Sequence, residues 1–130
     1  MIEVSKAEGS YIYDRKNKRY LDFVAGVSAC SVGHCNKEVI DAIKVQSEKY
    51  MHVMVYGEFV TKPSLELAKL LAKNLPNSLN CTYFTNSGTE ALEGSMKLAR
   101  RFTGRKKIIA AKNAYHGSTM GALTLMGLEE

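Results

Sequence analysis

Residues 82–104, TYFTNSGTEALEGSMKLARRFTG, restrict the chain to few folds. A β-favouring opening runs straight into Asn86-Ser87-Gly88-Thr89-Glu90. From residue 88, Ala91, Ser95, Leu98, Ala99 and Phe102 recur at helical spacing until Gly104, where a C-terminal cap glycine belongs. The pattern then repeats. KIIAA at 107–111 reads as a short buried strand, KNAYHGS as a loop, and TMGALTLMG as the start of another helix. With CTYFT at 81–85 as the first strand, strand, helix and strand in this order predict an α/β class and a parallel sheet with a right-handed crossover.

The N-terminal half has a different grammar. SYIYDRKNKRYLDF predicts two short strands around a polar turn at Arg15–Lys18, with Tyr11, Tyr13, Tyr20 and Phe23 as the β-favouring aromatics. VAGVSACSVGHC, with glycines at 26 and 33, reads as a loop laid against something else. Residues 37–50 predict a helix that puts Val39, Ile40, Ile43 and Ser47 near one face. A second helix is signalled by Thr61 before Pro63. It carries a stripe of Leu67, Leu70, Leu71 and Leu75, and it stops before Pro76.

The 130 residues are 45% apolar and 24% charged, enough for a compact domain with a core. Yet only two parallel strands are laid down before Glu129-Glu130 closes the chain, and a sheet of two such strands is not normally covered on both faces. The chain is therefore expected to be the N-terminal part of a larger protein.

The formal charge of +5 is dispersed, with no basic stripe interleaved by aromatics, which argues against a nucleic-acid partner. No window approaches the ~20 apolar residues of a membrane span, and the opening residues lack the apolar core of a signal peptide. The cytoplasm is the expected compartment. Cys30, His34 and Cys35 are close in sequence, but without a CxxC pair or a second cluster they read as free thiols and a histidine, and no metal is expected. Asn80-Cys81-Thr82 matches a glycosylation sequon but leads into an expected buried strand.

The corner at 86–90 admits two readings. A helix start has N–H groups without internal partners and a partial positive charge, which together suit a phosphate. Ser87 and Thr89 would add hydroxyl donors, and Gly88 would let backbone approach the ligand. The alternative is plain capping, with Asn86 or Ser87 as the cap and Glu90 completing a capping box. The corner lies beyond the carboxyl end of a strand, where α/β sheets bind ligands, and it is neither GxGxxG nor GxxxxGK[ST]. The next loop, NAYHGST, leaves the sheet at the same edge and would stand Tyr115 and His116 beside the corner. There they could wall a planar ring attached to the phosphate, or simply pack.

Taken together, NSGTEALEGSMKLARR, AYHGSTMGAL and the upstream GVSACSVGHCNKEVIDAI closely resemble the class III (ornithine/acetylornithine-type) aminotransferases, which are pyridoxal-phosphate enzymes of fold type I. The resemblance covers essentially the whole chain and roughly the first third of such an enzyme. It implies an N-terminal segment at 1–60 that contributes to the small domain, the substrate channel and the dimer interface. It implies that 61–130 begins the large cofactor-binding domain. Ser87, Gly88 and Thr89 would bind the cofactor phosphate, with Glu90 supporting the pocket. Tyr115 would stack on the pyridine ring, and His116 and Gly117 would shape that wall. Val27, Gly33 and His34 would border the substrate channel.

The Schiff-base lysine and the aspartate facing the pyridine nitrogen would lie beyond Glu130, so residues 1–130 are expected to be inactive alone. The substrates would be an amino donor and a 2-oxo acid, and the full-length enzyme would be a homodimer, with the apolar stretch at 50–59 a candidate for its interface. Ser118 stands where arginine is usual, Asn36-Lys37 where His-Pro is usual, and Cys30 where asparagine is frequent. Val27 is closer to the acetylornithine branch than to the ornithine branch. The donor could thus be acetylornithine, a succinylated relative, an ω-amine or a γ-amino acid. Were the chain to end at Glu130, it would be a non-catalytic module binding a phosphorylated ligand.

Overall fold

The hairpin expected around Arg15–Lys18 forms in the computed structural model, which describes residues 1–54 and 56–127. Strand β2 (Tyr11–Asp14) pairs antiparallel with β3 (Arg19–Leu21) through Tyr11↔Leu21, Ile12↔Tyr20 and Tyr13↔Arg19. Asp14 organises the turn: its Oδ1 accepts from the N–H groups of Lys16 and Lys18, each at 2.9 Å, and its Oδ2 accepts from Tyr20 Oη at 3.0 Å. A third strand, β1 (Val4–Glu8), adds to the other side of β2, giving the order β1-β2-β3. VSKAE has neither clean alternation nor aromatics, so its pairing is decided by β2 offering a free edge.

The glycine-containing loop holds one tight turn, α1 (Ala25–Ser28), in which Gly26 and Val27 are left-handed at φ 61 and 57. Helix α2 (Lys37–Ser47) is shorter than the expected 37–50. Its N-cap is Asn36, whose side chain accepts from the Val39 N–H at 3.2 Å, so the residue standing in the place of histidine has a local structural job.

The chain divides into two compact units, Met1–Thr61 and Lys62–Glu130. The second unit begins with α3 (Lys62–Asn74), which carries Pro63 in its first turn, where the missing N–H is harmless, and ends ahead of Pro76. Helix α4 (Gly88–Thr103) occupies the predicted span, closed by Gly104 at φ 69. A short helix, α5 (Met120–Leu123), follows the second loop.

Two expectations are corrected. Residues 81–85 and 107–111 are not strands: among the described residues neither segment has a ladder partner. An extended segment becomes a strand only when a neighbour takes its N–H and C=O groups, and these two do not pair with each other. The expected buried faces are also open. Met96 (6% exposed) and Ala122 (0%) are the buried apolar residues described, whereas Leu98 and Phe102 on α4 are 68% and 87% exposed. Leu67 and Leu70 on α3, and Leu75 just beyond it, are exposed as well. The chain exposes 11637 Å². A single folded chain of 14.4 kDa would expose roughly 6,800 Å², and two separate domains of half that mass about 8,200 Å². The helices have formed, but among the described residues much of their apolar surface is left uncovered.

Candidate functional site

Ser87 starts α4 in an extended conformation (φ −156, ψ 160), and its Oγ accepts from the Glu90 N–H at 3.2 Å. Glu90 reaches back one residue further than in a standard capping box: its Oε2 accepts from the Asn86 N–H at 2.7 Å. Capping therefore consumes the Glu90 and Asn86 amides. No acceptor among the described residues meets the N–H of Gly88 or Thr89, and nothing lies within 4 Å of where a Gly88 Cβ would sit. Two amides at the positive end of a helix are thus without a partner among the described residues, and their residues border open space.

That space is a cavity of about 500 Å³ lined by Gly88, Thr89, Leu92, Tyr115, His116, Gly117 and Ser118. Tyr115, His116, Gly117 and Ser118 of the second loop supply the rest of the wall beside Leu92. Tyr115 is 70% exposed and its Oη lies 3.4 Å from Ser118 Oγ. Gly117 has φ 104, and a Cβ there would come within 2.5 Å of Thr89 Oγ1, so this contact admits only glycine.

The two expected hydroxyl donors are not equivalent. Ser87 uses only its lone pair in capping and keeps its proton. Thr89 Oγ1 lies 2.9 Å from Thr119 Oγ1, and Thr119 donates its one proton to Glu93 Oε1 at 2.7 Å. Thr89 must then be the donor to Thr119, so its hydroxyl proton points away from any ligand. Glu93 Oε1 also accepts from the Gly121 N–H at 2.8 Å. The Thr119 hydroxyl first, then the Gly121 and Ala122 amides, hold the Glu93 carboxyl below the usual carboxylate range against the opposing effect of burial. Glu93 and Thr119 escape a reading of the sequence. Their one signal is that Thr89 and Glu93 are four apart, on one face of α4.

Val27, Gly33 and His34 belong to the first unit. Val27 is exposed in the left-handed turn. His34 exchanges backbone hydrogen bonds with Gly9 at 2.7 and 2.9 Å, and Gly33 (φ 84) packs so near that a Cβ would lie 3.1 Å from Gly9 O. His34 Nε2 meets Asp22 Oδ2 at 2.7 Å, and both side chains are largely buried. Asp22 Oδ1 takes the N–H groups of Val24 and Ala25 at 3.1 and 3.0 Å, which fixes the entry to the left-handed turn. The His34 hydrogen bond leads in drawing the Asp22 carboxyl below its ordinary value, with the Ala25 amide next. Asp22 was also not foreseen. His34 Nε2 is thus engaged by this aspartate.

Comparison with solved structures gives the class of this architecture. An (S)-enantioselective omega-transaminase from Thermomicrobium roseum superposes with a TM-score of 0.91 at 34% identity, over 98% of this chain and 30% of that one. Taurine:2-oxoglutarate aminotransferase from Bifidobacterium kashiwanohense, solved in complex with PLP and glutamate, superposes at 0.85 with 34% identity, over 98% of this chain and 28% of that one. The fold is the N-terminal portion of a fold type I pyridoxal-phosphate transferase.

The sequence profile of aminotransferase class-III matches residues 1–130, and the chain belongs to that family. Acetylornithine aminotransferase of Archaeoglobus fulgidus is 41% identical over 129 residues, covering 99% of this chain and 33% of the relative. The enzyme of the same name from Methanopyrus kandleri is 43% identical over 123 residues, 95% of this chain and 31% of the relative. The chain thus spans about a third of the length of the curated relatives it matches. No helix among the described residues is long and apolar enough to cross a membrane.

Proposed function

We propose that this chain forms the phosphate-binding part of a pyridoxal-phosphate aminotransferase that moves an amino group from an acylated ornithine or an ω-amino donor to a 2-oxo acid. The observation that carries the reading is the pair of unpartnered amides, Gly88 and Thr89, opening onto a cavity whose far wall is Tyr115. The donor set fits a phosphate monoester: amides at a helix N-terminus and no carboxylate in the lining, with Ser87, which precedes the lining residue Gly88, carrying a further hydroxyl. The dipole contributes only about 0.3–1 kcal/mol when exposed, so the hydrogen bonds made together must supply most of the affinity.

Each residue has a defined task. The Gly88 and Thr89 amides hold the phosphate, and Ser87 adds one hydroxyl donor. Tyr115 covers a ring face, and His116 and Gly117 close the wall behind it. Bound there, the cofactor would supply an electron sink for the pair left when a proton is removed from the donor's amine-bearing carbon. Proton movement needs a base close to that carbon, and this chain is assigned none. The Schiff-base lysine and the aspartate for the pyridine nitrogen are proposed to lie beyond Glu130, so residues 1–130 alone should not turn over.

Ser118 bears on the donor. A serine cannot make the bidentate contact of an arginine with a carboxylate. Either the donor's distal carboxylate is gripped elsewhere, or the donor has none at that position. Residues 1–60 are proposed to contribute to the small domain and the substrate channel, with Val27, Gly33 and His34 along it, and 61–130 to begin the large domain. Met51, Tyr56 and Phe59 are exposed apolar side chains suited to a homodimer interface; Val55 in the same stretch lies outside the described residues.

The test is optical. Full-length enzyme should bind pyridoxal phosphate, be yellow, and shift its absorption band when acetylornithine or an ω-amine is added. A colourless enzyme, or turnover by residues 1–130 supplied with the cofactor, would contradict the reading.

A further inference from the structure

We propose that Glu93 is the positioning residue of this site, clamping the Tyr115–Ser118 loop over the amides that open α4. The inference rests on the functional reading above and adds a residue that does not line the cavity.

The connection is a chain of three side chains. Glu93 Oε1 gathers two donors from the start of α5, the Thr119 hydroxyl at 2.7 Å and the Gly121 N–H at 2.8 Å. Thr119 in turn receives the Thr89 hydroxyl at 2.9 Å. Thr89 and Glu93 are neighbours on one α4 face. The two glycines of the crossing segment each press against one of them: a Cβ at Gly117 would fall 2.5 Å from Thr89 Oγ1, and one at Gly121 would fall 2.5 Å from Glu93 Oε1. The segment 117–121 is therefore held at both ends by contacts that leave no room for a side chain. Tyr115 and Ser118 hang from that segment. Their placement over Gly88 and Thr89 follows from where Glu93 holds Thr119 and Gly121. The clamp acts on the ring wall and leaves the phosphate-facing amides alone, because the Gly88 and Thr89 N–H groups take no part in it.

Oε1 receives the Thr119 and Gly121 donors, so the side-chain oxygen of glutamine can keep those two bonds and alanine can keep neither. This predicts which ligand each variant loses. Titration of the full-length enzyme freed of cofactor, as wild type, Glu93→Ala and Glu93→Gln, with inorganic phosphate and with pyridoxal phosphate reads the two halves of the site separately. The Ala variant should bind inorganic phosphate within about twofold of wild type and pyridoxal phosphate about tenfold more weakly, the worth of one or two hydrogen bonds. The Gln variant should recover most of that loss.

Equal weakening of both ligands, or an unchanged pyridoxal-phosphate affinity, overturns the clamp. Wild-type enzyme that binds neither ligand overturns the functional reading instead. Amide exchange then still decides the clamp: Glu93→Ala should speed exchange at 115–121 while α4 keeps its protection, and unchanged exchange there sinks it.

Discussion

Thr89 Oγ1 and Thr119 Oγ1 stand 2.9 Å apart across thirty residues of sequence, and the proton between them belongs to Thr89. The hydroxyl expected to bind a ligand is therefore spent on holding two loops together. Thr119→Val removes both the acceptor for Thr89 and the donor to Glu93 Oε1, and should cost about 2 kcal/mol in denaturant unfolding, the net worth of two such bonds. It also frees the Thr89 hydroxyl, so inorganic phosphate should bind no more weakly than before. A drop in phosphate affinity would mean that the Thr89–Thr119 pair shapes the anion site directly.

Gly117 permits the close passage of the second loop over α4. Gly117→Ala places a Cβ against the Thr89 side chain at a backbone angle of φ 104. Strain of about 1–3 kcal/mol is expected from the backbone alone. The loop should lift, and pyridoxal-phosphate binding should be lost while the circular dichroism of the helices persists. Retained binding would show that the loop can pass by another path.

Gly104 ends α4 in the left-handed region, with its N–H bonded to Arg100 O at 2.9 Å. Gly104→Ala should lower stability by about 1–2 kcal/mol, the cost of a left-handed residue bearing a Cβ. Ligand affinity should not change, since the helix start lies at the opposite end. Thermal melts and phosphate titration of the same variant check both halves.

Glu93 and Asp22 both have carboxyls held below their ordinary values, Glu93 first by the Thr119 hydroxyl and Asp22 first by His34. A carboxylate depressed in the folded chain stabilises it at neutral pH, and that contribution is lost as pH falls through the folded value. Stability should thus begin to drop near the ordinary carboxylate range, at about pH 4, and go on dropping below it. In Glu93→Ala and Asp22→Ala the fall should be shallower, and each variant should converge on wild type in acid. Melting temperatures at about pH 7 and 3 measure this; a wild-type gap that stays constant between them refutes it.

How far the sequence could be read depended on how local each feature is. The Asp14 turn, the Ser87 cap with Glu90 behind it, the span of α4 and the Gly104 terminus were all legible, because the groups that satisfy each other lie within about one turn of chain. That α4 begins at the Ser87–Thr89 corner was legible for the same reason, since the cap and the helix start are adjacent in sequence. Strand β1 was not, because its sequence has no pattern of its own and only the edge of β2 makes it a strand. Residues 81–85 and 107–111 were misread in the opposite direction: their composition favours strand, but a ladder requires a neighbour that composition does not provide.

The sequence by itself determined helices α2, α3 and α4 to within a few residues, and the Ser87 and Gly104 ends of α4, since short-range hydrogen bonds and backbone sterics suffice for those. Tertiary structure alone decided that Glu93 joins the corners, that Asp22 holds His34, and that Thr89 turns its proton inward. Those partners lie 26 and 28, 12 and 30 residues away, and no local preference encodes a meeting that the folded path of the chain brings about.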